Sequence, residues 1–141
     1  MNKILIIEDE EVLLGVLQKK LVQEGYEVIT ARDGEEGLNE MRQSKPDLIL
    51  LDIMMPKKDG LEVLGEMNQD ESLKAIPVVI ISNSGQPVEI DRILKLGVKD
   101  YLIKAELDID EVVMKIKKII EQPGVVSENE SDSQKEAGSE S

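Results

Sequence analysis

The chain has 141 residues, of which 40% are hydrophobic and 33% are charged, a composition that indicates one globular domain. Its formal net charge of −13 creates a surface that repels nucleic-acid phosphates, so we expect no nucleic-acid partner. Cys and His are both absent, which excludes disulfides, thiolate or imidazole metal ligands and an imidazole base supplied by the chain itself.

The first apolar run is short. It covers Ile4–Ile7 and ends at Glu8, which is too few residues for a signal peptide or a membrane span. Together with the lack of Cys, this favours a cytoplasmic protein that has no membrane contact.

Five short apolar runs predict β-strands. Four of them are dominated by Ile, Leu and Val without clear alternation, which suits strands that are buried on both faces. The runs are Lys3–Ile7, Glu27–Ala31, Asp47–Leu51, Pro77–Ile81 and Asp100–Ile103.

A helical pattern follows each run. The first has leucines at i, i+4 spacing and ends before Gly25, and the second lies before Pro46. The fourth begins near Pro87, a residue favoured in the first turn of a helix, and ends at Gly97. The helices are predicted around Leu13–Leu21, over Glu35–Gln43, from Gly60, over Pro87–Gly97, and after Asp108 with an apolar stripe from Val112 to Ile120.

Strands that alternate with helices predict an α/β fold. We expect a doubly wound, flavodoxin-like sheet of five parallel strands with five helices on its two faces, and we assume the order 2-1-3-4-5, one of the two common in such folds. This domain is predicted over residues 1–122. Residues 123–141 contain five acidic residues and five serines with almost nothing to bury, which predicts a disordered tail that either aids solubility or binds a regulatory partner.

Polar residues stand at the carboxyl ends of the apolar runs. Glu8 and Asp9 follow the first run, Asp52 the third, Ser82 the fourth and Lys104 the fifth. Parallel strands bring these ends to one edge of the sheet, where ligands bind in doubly wound folds. In the expected strand order, the first and third strands are neighbours, so the three carboxylates should face one another.

This set of residues suits phosphoryl chemistry. Carboxylate oxygens are Mg²⁺ ligands, and a carboxylate can also be a nucleophile that forms an acyl phosphate. Lys104 and a metal ion would neutralise the charge of the transferring phosphoryl group, and Ser82 could donate a hydrogen bond to it.

Each residue also has a plain structural interpretation. An acid after a strand is often a helix cap or a solvated turn residue, and the run Glu8–Glu11 is a favourable helix start. A single Lys104 is usually a solvated charge, and Ser82 alone indicates nothing. Their joint placement at strand ends is what favours a functional site.

Three stretches resemble the receiver domains of bacterial two-component response regulators, which have the CheY-like fold. They are Lys3–Glu10 (KILIIEDE), Asp47–Gly60 (DLILLDIMMPKKDG) and Gly97–Lys104 (GVKDYLIK). The resemblance covers about residues 2–121. It implies a phosphorylatable signalling switch that is not an enzyme beyond assisting its own phosphorylation and dephosphorylation.

The resemblance also implies the metal site. Asp52 matches the phosphoacceptor, and Asp9 matches a direct Mg²⁺ ligand that Glu8 assists directly or through water. Asp52 itself and the backbone carbonyl of Met54 complete the implied ligand set.

The remaining matches concern the phosphate and the switch. Lys104 matches the phosphate-contacting lysine, and Ser82 matches the switch hydroxyl, with Asn83 beside it. Tyr101 matches the aromatic residue whose rotamer reports activation.

Two positions depart from the family pattern. Ala105 replaces the usual proline after the lysine, so we predict a trans Lys104–Ala105 bond and a shifted loop. Asn83 replaces a small residue, which puts donor access and the dephosphorylation rate in doubt.

The resemblance implies a sensor histidine kinase or phosphotransfer protein as phosphodonor and a downstream protein that contacts the fourth helix, fifth strand and fifth helix. Residues 123–141 are too few to form an output domain, so none is expected.

A pseudo-receiver, which keeps the fold as an interaction module without phosphorylation, is the main alternative. A Mg²⁺-dependent phosphatase is disfavoured because Met54 stands where a general acid is needed, and a nucleotide binder because no Gly-rich loop opens the first helix.

Overall fold

The computed structural model describes residues 2–83 and 87–121. Within these ranges the strands are β1 (Lys3–Ile7), β2 (Glu27–Ala31), β3 (Leu48–Asp52), β4 (Val78–Ser82) and β5 (Asp100–Ile103). The helices are α1 (Glu11–Gln23), α2 (Gly34–Ser44), α3 (Gly60–Asn68), α4 (Pro87–Leu94) and α5 (Ile109–Glu121), and a 3₁₀ turn covers Lys104–Glu106.

All five strands are parallel, and the sheet order is β2-β1-β3-β4-β5, which confirms the predicted doubly wound topology. The order reverses at the boundary between β1 and β3, where Ile7 pairs with Leu51. Ligands bind in the crevice that such a reversal creates, so the fold positions a site at the carboxyl ends of these two strands.

β3 and β4 each begin and end one residue later than the apolar runs indicate. Asp52 pairs with Ile81, and Ser82 pairs with Ile103, so both polar residues are the last residues of their strands instead of the first residues after them. The reason is the hydrogen-bond register with the neighbouring strands, which continues through these residues although their side chains are polar.

The core consists of two apolar layers on opposite faces of the sheet. One packs α2, α3 and α4 against one face, and includes Leu38, Met41 and Val63. The other packs α1 and α5 against the second face, and includes Leu17 and Ile116. Because each central strand is covered on both sides, its residues are apolar throughout, as the sequence indicates.

Two helices of the first layer begin at side-chain caps. Asp33 accepts a hydrogen bond from the Glu36 amide at the start of α2, and Asp59 forms a capping box with Glu62 at the start of α3. Because Asp33 is the cap, α2 begins at Gly34, one residue before the predicted start. Helix α4 ends at Leu94, before the predicted end at Gly97, which has a φ of 94° that breaks the helix.

No cis peptide bond occurs among the described residues, so the predicted trans bond between Lys104 and Ala105 is confirmed. None of the helices in these ranges is long and apolar enough to cross a bilayer. The predicted tail, residues 123–141, lies outside the described ranges, as does Gln122 at the end of the predicted domain.

Candidate functional site

The site forms where β1 and β3 end side by side. Glu8 follows β1 and Asp52 ends β3, and both residues are almost completely buried. Asp9, next to Glu8, is exposed. One carboxylate oxygen from each of the three lies within 4.8 Å of the others, so the structure brings together the three acids that the sequence predicts.

Lys104 reaches this cluster from the end of β5. Its ammonium nitrogen lies 3.2 Å from Oδ2 of Asp52, 3.1 Å from Oε2 of Glu8 and 2.6 Å from Oε2 of Glu10. The lysine side chain is only 9% exposed. One buried ammonium therefore serves three carboxylates, which leaves the cluster with uncompensated negative charge.

The pKa of Asp52 reflects this environment. Burial raises it most, the nearby charge of Glu8 raises it further, and Lys104 partly opposes both, so that the pKa reaches about 7. Burial by itself lowers the pKa of Lys104, but hydrogen bonds to Glu10 and Glu8 and the charge of Asp52 outweigh it and raise the pKa above its ordinary value. The lysine thus stays protonated, while Asp52 is poised between its two protonation states at neutral pH.

The donor set fits a hard divalent cation. Oε1 of Glu8 is buried and has no hydrogen-bond partner, although Oε2 of the same carboxylate accepts from Lys104 and from the Glu10 amide. A buried carboxylate oxygen without a partner is costly unless a donor or a cation satisfies it. Carboxylates are typical Mg²⁺ ligands, and Glu8, Asp9 and Asp52 could hold such an ion together.

Met54 contacts the cluster through its backbone. Its amide donates to Oδ1 of Asp52 over 3.1 Å, while its side chain is exposed. This hydrogen bond fixes the orientation of the Asp52 carboxylate and holds the β3–α3 loop, residues 53–59, against the site.

The structure also places the predicted switch residues. Ser82 is buried at the end of β4, one position beyond Ile81, the register partner of Asp52. Asn83 is exposed and lines a surface groove together with Lys104, Ala105 and residues of α1. Tyr101 is half-buried on β5 and lines a separate groove that also contains Glu106 and Lys115.

Glu10 makes a contact that the sequence does not predict. The run Glu8–Glu11 indicates only an acidic helix start, yet the carboxylate of Glu10 makes the shortest contact with Lys104. The signal was present in the run of four acids from Glu8 to Glu11, but the sequence alone does not show which of them turns toward a lysine 94 positions away.

A doubly wound parallel sheet with buried acids at the reversal of strand order, which a lysine reaches from the end of β5, defines the class of α/β domains that bind a ligand at their strand ends. A family model for the response regulator receiver domain matches residues 4–117. The chain belongs to this family, whose members are signalling switches that bind Mg²⁺ in an acidic pocket.

Curated relatives are similar over the same region. The alkaline phosphatase synthesis transcriptional regulatory protein PhoP of Bacillus subtilis (strain 168) is 42% identical over 105 residues, which are 73% of this chain and 42% of PhoP. The transcriptional regulatory protein CpxR of Escherichia coli (strain K12) is 41% identical over 122 residues, 85% of this chain and 50% of CpxR. The chain thus spans half or less of the length of these relatives.

Solved structures have the same architecture. The Mn²⁺-bound form of response regulator Rcp1 superposes with a TM-score of 0.73 and 33% identity, covering 84% of this chain and 93% of Rcp1. The phosphorylated cyanobacterial phytochrome response regulator RcpA gives a TM-score of 0.76 and 35% identity, with 89% and 97% covered. Similarity at this level confirms the CheY-like fold.

Proposed function

We propose that this domain is phosphorylated on Asp52 in a Mg²⁺-dependent reaction and that the phosphorylated form binds a downstream protein. The observation that carries the proposal is the buried Asp52 carboxylate, which lies in one cluster with two further acids and the Lys104 ammonium. A signalling switch needs one nucleophile with a defined orientation, and the Met54 amide and Lys104 supply that orientation.

In the reaction, a carboxylate oxygen of Asp52 attacks the phosphorus of a phosphodonor, and the bond from phosphorus to the donor's nitrogen or oxygen breaks. The leaving group keeps the electron pair of that bond: an imidazole nitrogen takes a proton from solvent as it leaves, whereas a carboxylate leaves as the anion. Lys104 offsets negative charge on the phosphoryl oxygens, since its pKa is raised and it remains an ammonium. A Mg²⁺ ion held by Glu8, Asp9 and Asp52, with the Met54 carbonyl as a further ligand, would supply the remaining positive charge.

The donor must come from outside the chain, because the sequence has no His. A sensor histidine kinase or a phosphotransfer protein is the donor that family membership supports. We infer that Ser82, which is buried at the end of β4, donates a hydrogen bond to the phosphoryl group once it is attached. Asn83 lines the groove beside Lys104, and we propose that the phosphodonor approaches through this groove.

Phosphorylation replaces the single charge of Asp52 by about two negative charges. The movement of Ser82 toward this group changes the surface formed by α4, β5 and α5, where Tyr101 is half-buried. We propose that this surface contacts the downstream protein.

The experiment is intact-protein mass spectrometry after incubation with acetyl phosphate, with and without Mg²⁺. The expected result is a Mg²⁺-dependent gain of one phosphoryl group that Asp52→Asn abolishes. Asp47→Asn is the matched control, because Asp47 is an exposed acid just before the opposite end of β3. A folded wild-type chain that gains no phosphoryl group would favour the pseudo-receiver instead.

A further inference from the structure

Gly34, the first residue of α2, approaches the backbone of the β3–α3 loop closely. A Cβ at this position would lie 2.8 Å from the carbonyl carbon of Lys58, closer still to its carbonyl oxygen, and 2.8 Å from Cγ2 of Val63. A backbone carbonyl cannot rotate away as the end of a flexible side chain can. Any side chain at position 34 must therefore displace either the loop or the helix.

The loop has little freedom to absorb a displacement. Its base is closed by a hydrogen bond from the Gly60 amide to the Ile53 carbonyl over 2.8 Å, and the Lys58 amide donates to the Pro56 carbonyl over 2.7 Å. Between these contacts, Lys57 has a φ of 66°, in the left-handed region that residues with a Cβ rarely adopt. Because the loop is short and closed, a displacement of the Lys58 backbone should also displace the other end of the loop.

The other end of the loop belongs to the candidate site. Met54 follows Asp52 by two residues, and its amide holds Oδ1 of the Asp52 carboxylate. A shift of the loop therefore changes the orientation of the acid that the proposed chemistry uses.

Helix α2 is equally constrained. Leu38 and Met41 are buried in the core beneath it, and a Cβ at Gly37 would lie 2.5 Å from Cδ1 of Ile7 on β1. The helix thus packs so closely on β1 that it cannot move toward the sheet. Its N-terminus is held to the loop a second time by the carboxylate of Asp33, 3.7 Å from the ammonium of Lys57.

We propose that the N-terminus of α2, through Gly34 and secondarily through Asp33, positions the β3–α3 loop and thereby the Asp52 carboxylate for binding Mg²⁺ and for phosphorylation. This inference rests on the proposed function of Asp52. Gly34 is a positioning residue, since it touches neither the carboxylates nor the ammonium of the site.

The test is a Mg²⁺ titration of the wild-type chain and of Gly34→Ala, followed by the NMR signal of the Met54 amide. The expected result is a shifted Met54 signal before Mg²⁺ is added and a dissociation constant raised about tenfold, the size typical of lost support for a metal ligand. Phosphorylation by acetyl phosphate, measured as intact mass, should slow in parallel.

Two controls separate positioning from general loss of stability. Met41→Ala removes core packing on the same helix and should lower stability in urea while leaving the dissociation constant for Mg²⁺ within about twofold of wild type. Gly65→Ala adds a methyl group at a helix position where, apart from the adjacent residues and backbone of α3 itself, no atom lies within 4 Å, and it should reduce neither stability nor Mg²⁺ binding.

The proposal is overturned if Gly34→Ala binds Mg²⁺ as wild type does, or if Met41→Ala weakens Mg²⁺ binding equally. If Gly34→Ala does not fold, Asp33→Asn decides, because asparagine still caps a helix but lacks the charge that faces Lys57. It should shift the Met54 amide signal and weaken Mg²⁺ binding by at most about fivefold, the upper limit for one partly exposed ion pair, and an unshifted Met54 signal would contradict the proposal.

Failure of the proposed function can be distinguished from failure of this inference. A wild-type chain that binds Mg²⁺ but gains no phosphoryl group would refute phosphorylation, while the comparison of variants would still decide whether α2 positions the loop. A wild-type chain that binds no Mg²⁺ would refute both.

Discussion

The ammonium nitrogen of Lys104 lies 3.2 Å from Oδ2 of Asp52, and the two side chains are only 9% and 2% exposed. An ion pair so well shielded from water interacts more strongly than a surface pair, but each partner has also lost its hydration. The pair shares its lysine with Glu8 and Glu10. Removal of the ammonium would therefore leave several acids without compensation.

We predict that Lys104→Met lowers the free energy of unfolding by about 3 kcal/mol at pH 8 in the absence of divalent cations, the range for a broken buried pair. Lys115→Met is the matched control. Its partner Asp100 is 2.7 Å away, but both side chains are about one-third exposed, so the loss should stay below about 1 kcal/mol. Urea denaturation measures both values, and equal losses would show that the Lys104 cluster is not effectively buried.

Asp52 should make the stability of the metal-free protein depend on pH. Its pKa is about 7 in the folded chain against 3.8 as the ordinary value, so the folded state retains a proton that the unfolded state releases. Stability from this group is lost as the pH rises from about 4 to about 7, and each pKa unit corresponds to about 1.4 kcal/mol. Asp52→Asn does not titrate and should become increasingly more stable than wild type across this window. Urea denaturation at pH 5, 6, 7 and 8 with a chelator checks this prediction, and a constant difference between the two proteins would contradict it.

Mg²⁺ should stabilise the folded protein through the acidic cluster. At a concentration of one hundred times its dissociation constant, a ligand that binds only the folded state contributes about 2.7 kcal/mol. We predict that Asp9→Asn loses most of this gain without unfolding, because Asp9 is exposed. Glu27→Gln makes the same change in charge at the opposite edge of the sheet and should keep the full gain. Thermal unfolding with and without Mg²⁺ measures the effect, and an undiminished gain in Asp9→Asn would exclude Asp9 as a ligand.

Tyr26 carries a buried hydroxyl that has no hydrogen-bond partner. Burial of such a group costs free energy, and the same burial raises the pKa of the phenol. We predict that Tyr26→Phe keeps or increases stability, by up to about 1 kcal/mol, because it removes an unsatisfied polar atom and keeps the ring. A clear loss of stability in urea denaturation would mean that the hydroxyl is satisfied in solution.

Much of the fold could be predicted from the sequence because hydrophobic patterns report burial directly. The bounds of β1, β2 and β5 match the predicted runs, and the alternation of strands and helices predicts the parallel sheet. The strand order 2-1-3-4-5 was predicted through the resemblance to receiver domains, because alternation alone is compatible with more than one order. The one-residue shifts of β3 and β4 could not be predicted, since they depend on pairing with neighbouring strands. Leu73, fully buried between α3 and β4, was likewise missed because a turn has no hydrophobic period.

The candidate site divides in the same way. That Glu8, Asp9, Asp52, Ser82 and Lys104 lie at one edge of the sheet was determined by the sequence, because each stands where an apolar run ends and parallel strands end together. Only the tertiary structure decided that Glu10 also binds Lys104 and that one oxygen of Glu8 has no partner. It also decided that Gly34 lies too close to the Lys58 backbone for any side chain. These relationships join residues that are distant or differently oriented along the chain, so they depend on how close helices and loops pack, and that distance is not encoded in any local pattern.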